Sequence, residues 1–209
     1  AITQTESIDR GIEYLQTELQ RRGGTRIELL SMIAELHIQK GDWVQAQQMI
    51  DQAMAVNPKY AQHWKLQAQV HMSRQGSDKG ALDKALEAYQ SYAERNLSHP
   101  AGHLELYRNF ILKSQIEKAD EELSRIYALY PKFPELHFYR GQLFTAMGNH
   151  KVAIEEFEKE LKNNPDAVNS LIALGKSFLA MGAPAEANKH LSKAMQVAPQ
   201  AAEAKLEAG

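Results

Sequence analysis

Histidine has the most versatile side-chain chemistry in this chain, since imidazole can ligate metals and move protons near neutral pH. Eight histidines are present. His37 and His71 lie on the apolar stripes of amphipathic segments, where we expect packed core residues rather than ligands. His99 and His103 are four residues apart, but a proline and a glycine interrupt the helix face that they would share. We therefore predict no metal site and no catalytic histidine.

Carboxylates are concentrated in the stretch from Glu155 to Glu160, where Lys159 and Lys162 are interspersed. Offsets of three and four residues between opposite charges favour solvated ion pairs over an acid–base pair. The chain has no cysteine, which excludes disulfides, cysteine nucleophiles and cysteine–zinc sites. It also has no phosphate-binding glycine loop and no nucleophile elbow. The sequence thus predicts no catalytic residue, no cofactor and no enzymatic activity.

Composition narrows the class of partner. The 209 residues are 44% apolar and 24% charged, with a net charge of −2 and no block of Lys or Arg, so we expect no nucleic-acid binding. No stretch approaches the ~20 apolar residues of a membrane span. Residues 1–10 lack the features of a signal peptide. The compartment stays open: cytoplasmic, or periplasmic or envelope if an export signal precedes Ala1.

A fixed period runs through the chain. Alanines recur every 34 residues at 85, 119, 153 and 187, and another alanine lies 39 residues upstream at 46. Each is followed four residues later by a large apolar residue, and four of them by a proline twelve residues later. A period of this length, with a small residue, a bulky residue and a helix-stopping proline at constant offsets, indicates stacked helical hairpins.

The period predicts the organisation of the chain. Apolar residues at helical spacing mark a first helix in each unit, and Gly41, Gly148 and Gly182 are expected to end three of these helices. A run rich in turn residues, 75–80, is inserted into the second unit. The predicted parts are an N-terminal capping helix and linker at 1–26, units at 27–60, 61–99, 100–133, 134–167 and 168–201, and a C-terminal cap or truncated sixth unit at 202–209.

These residues resemble the tetratricopeptide repeat. The fifth unit matches the family pattern at Leu171, Leu174, Gly175, Phe178, Ala187, Leu191, Ala194 and Pro199, whereas the fourth has Arg140 where the pattern has Leu. The resemblance covers roughly residues 27–199. It implies an all-α, right-handed α-solenoid superhelix of antiparallel helix pairs, whose first helices line a concave groove that binds proteins.

The family's groove positions identify the candidate binding residues. The resemblance places these partner-binding side chains on the first helices: Lys65, Gln69, Leu104, Arg108, Phe138, Gln142, Asn169, Ile172 and Lys176. The first unit contributes Glu28 and Glu35 instead, so the groove is expected to be acidic at its N-terminal end and more basic further along. Some family members hold the C-terminal carboxylates of chaperones with a set of Lys, Asn and Arg residues. Lys65 and Gln69 only half match the first helix of that set, so we do not assign this function to the chain.

Two questions stay open at the level of sequence. The aromatic run that includes Tyr127, Tyr130, Phe133, Phe138 and Tyr139 is interpreted either as core between units or as a set of partner-facing anchors. The leading functional hypothesis is a non-enzymatic scaffold that binds a peptide or helix. The alternatives are a specialised chaperone or assembly factor for an exported protein, and an accessory domain of a larger enzyme. The oligomeric state is left open.

Overall fold

The computed structural model describes residues 4–74, 76 and 78–207, the last four as backbone only. The predicted insertion at 75–80 includes Gln75 and Ser77, and the predicted terminal segments include residues 1–3, 208 and 209; these positions lie outside the described residues. Within the described part, the structure consists of helices without a strand, which confirms the all-α prediction. The helices are α1 Gln4–Arg21, α2 Ile27–Lys40, α3 Trp43–Val56, α4 Ala61–Ser73, α5 Ala81–Arg95, α6 Ala101–Leu112, α7 Ile116–Leu129, α8 Leu136–Ala146, α9 His150–Asn163, α10 Val168–Ala180, α11 Pro184–Val197 and α12 Pro199–Glu207.

The chain divides into two compact units, Ala1–Asn109 and Phe110–Gly209. In the first unit α2 pairs with α3 and α4 pairs with α5, and the two first helices, α2 and α4, also touch each other. In the second unit α8 pairs with α9 and α10 with α11, and α8 touches α10. The division of residues 27–201 into five repeats stays a prediction.

Glycines in the left-handed conformation end the first helices of three hairpins, as predicted. The φ angles are 85° at Gly41, 74° at Gly148 and 73° at Gly182. Ser114 takes the same role before α7 with a φ of 55°, and its N–H donates to the carbonyl of Ile111. A residue with a Cβ pays roughly 1–2 kcal/mol for this conformation, whereas glycine does not.

The core of the first unit begins at α1. Its apolar stripe places Ile12, Leu15 and Leu19 against Leu30 and Ile33 of α2, and both α2 residues are fully buried. The periodicity of α1 therefore serves to cover the outer face of the first hairpin.

The core of the second unit rests on contacts between small and large residues. Ala153 and Phe157 of α9 are buried, and a Cβ added to Gly141 of α8 would collide with the Phe157 ring. Leu174 of α10 is fully buried as well. The repeated alanines and glycines are small because a large neighbour occupies the adjoining space.

Candidate functional site

The exposed face of α2 and α4 in the first unit carries two of the predicted binding residues. Gln62 Nε2 donates to Glu35 Oε1 over 2.6 Å, so the polar faces of the two helices meet. Lys65 and Gln69 follow at three and seven residues from Gln62 and are half-buried. Within the described part of the chain, neither side chain has a hydrogen-bond or ion-pair partner. These two side chains are available to a ligand.

The other two predicted residues of the first unit are on α6. Leu104 is buried, so little of its side chain reaches the surface. Arg108 is exposed, but its Nη1 donates to Glu105 Oε1 over 2.8 Å. Exposed pairs of this kind are worth only ~0–1 kcal/mol, so a ligand carboxylate could compete for the guanidinium.

In the second unit, the predicted residues separate into buried and accessible ones. Phe138 and Ile172 are buried, and the Phe138 ring lies 6.1 Å from the ring of Phe157. Gln142 is half-buried, as are Asn169 and Lys176, which both interact with other groups of the protein. The nine predicted residues thus form one set on α4 and α6 and another on α8 and α10.

The aromatic run contributes both core and surface. Phe138 and Tyr139 are buried, and their rings pack edge-to-face at 5.4 Å. Phe133 stacks on Tyr139 at 6.4 Å and remains half-buried. Tyr127 is also half-buried, so the core interpretation applies to the α8 part of the run and leaves the α7 part accessible.

A polar cluster on α8 and α9 departs from what the sequence suggested. Solvated carboxylates were expected here, but Glu156 and Glu160 are buried. Glu156 accepts a hydrogen bond from Lys159 Nζ over 2.7 Å, and its other oxygen lies 2.8 Å from His137 Nδ1. Burial acts to raise the pKa of Glu156, but these two hydrogen bonds together with the positive charges of Arg140 and Lys159 outweigh it, and the pKa falls below its ordinary value.

Glu160 shows the opposite balance. Burial raises the pKa of its carboxyl, although the backbone N–H groups of His137 and Phe138 donate to it. Those N–H groups belong to the first turn of α8, where the helix offers no carbonyl partners. Glu160 therefore lies at the N-terminal end of α8, a position that the offsets of three and four residues between opposite charges in this stretch did not reveal.

The histidines are dispersed through the structure. His37 is buried and His71 half-buried, and His99 Nδ1 accepts from the backbone N–H of Ala101 at the start of α6. Over the residues that the structure describes, no three His, Asp or Glu side chains are grouped as ligands of a metal ion. None of the helices in that part of the chain combines the length and apolarity needed to cross a bilayer.

Comparison with known proteins identifies the family. Models of the tetratricopeptide repeat match residues 5–70 and 113–168, which together make up more than half of the chain. The chain belongs to the tetratricopeptide repeat family. Its fold is accordingly that of a protein–protein interaction scaffold, and tetratricopeptide repeat proteins are generally non-enzymatic. No protein of curated function matches the sequence.

Solved structures of other tetratricopeptide repeat proteins share the fold. One from Parabacteroides merdae is 16% identical, with a TM-score of 0.77 over 90% of this chain and 73% of its own. A thermophilic protein of Thermus thermophilus is 21% identical, with a TM-score of 0.64 over 82% of this chain and 91% of its own. YrrB, described as having an unusual peptide-binding site, is 15% identical, with a TM-score of 0.61 over 90% and 94%.

Proposed function

We propose that the protein is a non-enzymatic scaffold that binds a peptide or helix of a partner protein on the exposed faces of its first helices. The observation that carries this proposal is the pair Lys65 and Gln69. They are one turn apart on α4, half-buried, and without an intramolecular polar partner in the described part of the chain. Beside them, the bridge between Gln62 and Glu35 joins the polar faces of α4 and α2.

The charges on this face define the kind of segment that fits. Glu28 and Glu35 make the α2 side acidic, whereas Lys65 makes the α4 side basic. A peptide with a carboxylate toward Lys65 and a cationic group toward α2 is complementary to this arrangement. The Gln69 amide can both donate to and accept from a peptide backbone. Charges of this kind set orientation and association rate more than affinity.

The second unit supplies a comparable but weaker surface. Gln142 is half-buried and, among the described residues, has no polar partner. Because Phe138 and Ile172 are buried, they shape this face but do not project as anchors. The likeness of fold to YrrB, a protein described with a peptide-binding site, supports peptide binding as the general mode.

A displayed library of random peptides, selected on the full chain, tests the proposal. Selected peptides are measured by fluorescence polarisation against the wild type and against the double variant Lys65→Glu, Gln69→Ala. We expect at least tenfold weaker binding to the variant. The matched control is Lys59→Glu, Gln48→Ala, which makes the same changes at exposed positions outside the face. If both variants lost peptide affinity equally, or if neither lost any, the assignment of this face would be refuted.

A further inference from the structure

A cleft between α7 and α8 lies within the second unit and involves none of the nine residues that the family resemblance assigned to the groove. Its volume is about 480 Å³. Five residues of α7 and one of α8 line this α7–α8 cleft: Asp120, Leu123, Ser124, Tyr127, Ala128 and Arg140.

The cleft occurs where the chain departs from its own repeat. Arg140 is exposed, and one period before and after it the chain has Leu106 and Leu174, which are both buried. Its guanidinium lies over the ring of Phe144 at 5.9 Å, and the residue also lines the cleft. An apolar side chain that would fill the seam is therefore replaced by a solvated cation.

Polar residues also replace apolar ones on α7. The residues that stand 34 positions after Asp120 and Tyr127 are Ile154 and Leu161 of α9, both apolar and half-buried. Three positions that are apolar at the α9–α10 seam are thus polar at the α7–α8 seam. Three of the six residues that line the cavity are therefore polar where the next seam is apolar, and a few polar groups that converge on one cavity are typical of ligand-binding sites.

The polar groups of the cleft make no hydrogen bond or ion pair with the described part of the protein, although Arg140 contacts the Phe144 ring and its charge acts on the buried Glu156. Among the described residues, Asp120, Ser124 and Arg140 form no hydrogen bond or ion pair. The Tyr127 hydroxyl oxygen is buried and also has no protein partner. Burial of a hydroxyl without a partner is unfavourable, and a ligand group that hydrogen-bonds to it offsets that penalty.

The chemistry of these groups specifies the ligand. A guanidinium held over an aromatic ring keeps its planar set of donors free, and that set matches a carboxylate. The Ser124 and Tyr127 hydroxyls add donors, while Asp120 accepts from an N–H group. Asp120 to Ala128 spans eight helical steps, about 12 Å, which is the length of three to four extended residues.

We infer that the α7–α8 cleft binds an extended acidic segment of a partner protein. An Asp or Glu carboxylate of the segment pairs with Arg140, and a backbone N–H pairs with Asp120. A second cavity of about 450 Å³, lined by Phe133, Asn163 and Asn164 among others, shares Tyr127 with the cleft. The segment can therefore extend in that direction.

The test is a selection that depends on Arg140. A displayed library of linear peptides with blocked termini is selected on the full wild-type chain and counter-selected on Arg140→Leu, which restores the residue type of the neighbouring repeats. We expect the recovered peptides to contain Asp or Glu, and a change of that residue to Asn or Gln to weaken binding at least tenfold. Tyr127→Phe, which removes only the hydroxyl, is expected to weaken binding about threefold to tenfold.

Two variants make the result specific. Arg125→Leu removes the same charge from an exposed position of α7 outside the cleft and should bind the peptides as the wild type does. The Lys65→Glu, Gln69→Ala protein should also bind them fully, which separates this site from the α2–α4 face. The melting temperature of Arg140→Leu is expected to hold or rise; should it fall, Arg140→Gln replaces it as the counter-selection protein.

Three outcomes would overturn the inference: no peptide survives counter-selection, the surviving peptides lack an acidic residue, or Arg125→Leu loses binding equally. Glutarate, a small dicarboxylate, is added as a competitor in the same experiment. If glutarate displaces the peptides at concentrations near their own dissociation constants, the cleft recognises a free dicarboxylate and not a protein segment.

Discussion

The α7–α8 and α9–α10 seams of the second unit have the same place in the repeat but different contents. At the α9–α10 seam Leu174 is fully buried, and Leu161 packs against the cluster that contains Leu171 and Ile172. At the α7–α8 seam Arg140 is exposed and a cavity of about 480 Å³ remains. The α8–α9 hairpin therefore packs closely against α10 on one side and leaves a cavity against α7 on the other.

The largest effect is expected when the residue of the open seam is placed in the closed one. Leu174→Arg places a charge where the side chain is fully buried, and we expect a loss of about 3–5 kcal/mol, as for a buried charge without a partner. Urea unfolding measures it. Leu179→Arg on the same helix is the control, since Leu179 is 51% exposed and should change stability by less than ~0.5 kcal/mol. Similar losses in the two proteins would mean that the seam is not closed.

The second prediction tests the hairpin packing that both seams depend on. Phe157→Ala removes a buried ring that fills the space beside Gly141, at an expected cost of ~3–5 kcal/mol. Ala153→Leu adds volume at a position with no exposure and should cost ~1–3 kcal/mol. Differential scanning calorimetry of both variants is the measurement. Unchanged melting temperatures would contradict the pairing of α8 with α9 described above.

Buried histidines make the stability of the protein depend on pH. Unlike Arg140, which stays solvated, His63 is fully buried, and burial lowers its pKa, as it also does for His71 and His190. A histidine with a lowered folded-state pKa binds its proton more tightly when unfolded. Its stabilising contribution is therefore complete above the unfolded pKa of ~6.5 and is lost as pH falls through the folded pKa.

We accordingly expect the melting temperature to decrease as the pH is lowered from 7.5 to 5.5. His63→Leu should make this decrease smaller, because it removes the most buried of the three rings. Glu160 acts in the opposite direction, since burial raises its pKa and its contribution falls as pH rises. A pH dependence identical in wild type and His63→Leu would show that His63 does not titrate in this range.

The smallest expected effect concerns the turns that lead into the two seams. Ser114 precedes α7 with a positive φ, whereas glycine occupies the same place before α9 and α11. Ser114→Gly should stabilise the protein by about 0.5–1 kcal/mol, because the left-handed strain of ~1–2 kcal/mol is relieved and part of it is offset by the entropy of glycine. The reciprocal variant Gly148→Ser should destabilise it by a similar amount. Chemical denaturation of the pair resolves the difference.

The sequence predicted those features that depend on spacing. A 34-residue period of small and large residues leaves few alternatives to helical hairpins, and glycines at 41, 148 and 182 marked helix ends because left-handed backbone favours glycine. Ser114 escaped notice, since serine carries no such signal. Depth of burial was harder to predict. Glu156 and Glu160 have the spacing of solvated ion pairs, but residues of α8 surround them, and the sequence near the two glutamates carries no signal for those contacts.

The candidate binding residues stay a prediction, because the sequence could place them only by helix face. Family position assigns a residue to a helix face, and Lys65 and Gln69 do lie half-buried on α4 beside the bridge to α2. It does not give the distance from the surface, so Leu104, Phe138 and Ile172 were expected to face a partner but are buried in their own units. Arg140 was visible as a departure from the pattern, but the cavity beside it depends on Asp120 and Tyr127 as well.

The placement of the α7–α8 cleft has a consequence for how such a chain acquires new partners. Three positions that are apolar at the neighbouring seam are polar in the cleft, and none of these three is among the small and large residues that hold a hairpin together. Recognition and folding are therefore encoded at separate positions of the same 34-residue module. A lineage can rewrite one seam by a few point substitutions while the hairpins on either side keep their structure, so binding specificity can evolve seam by seam along the array.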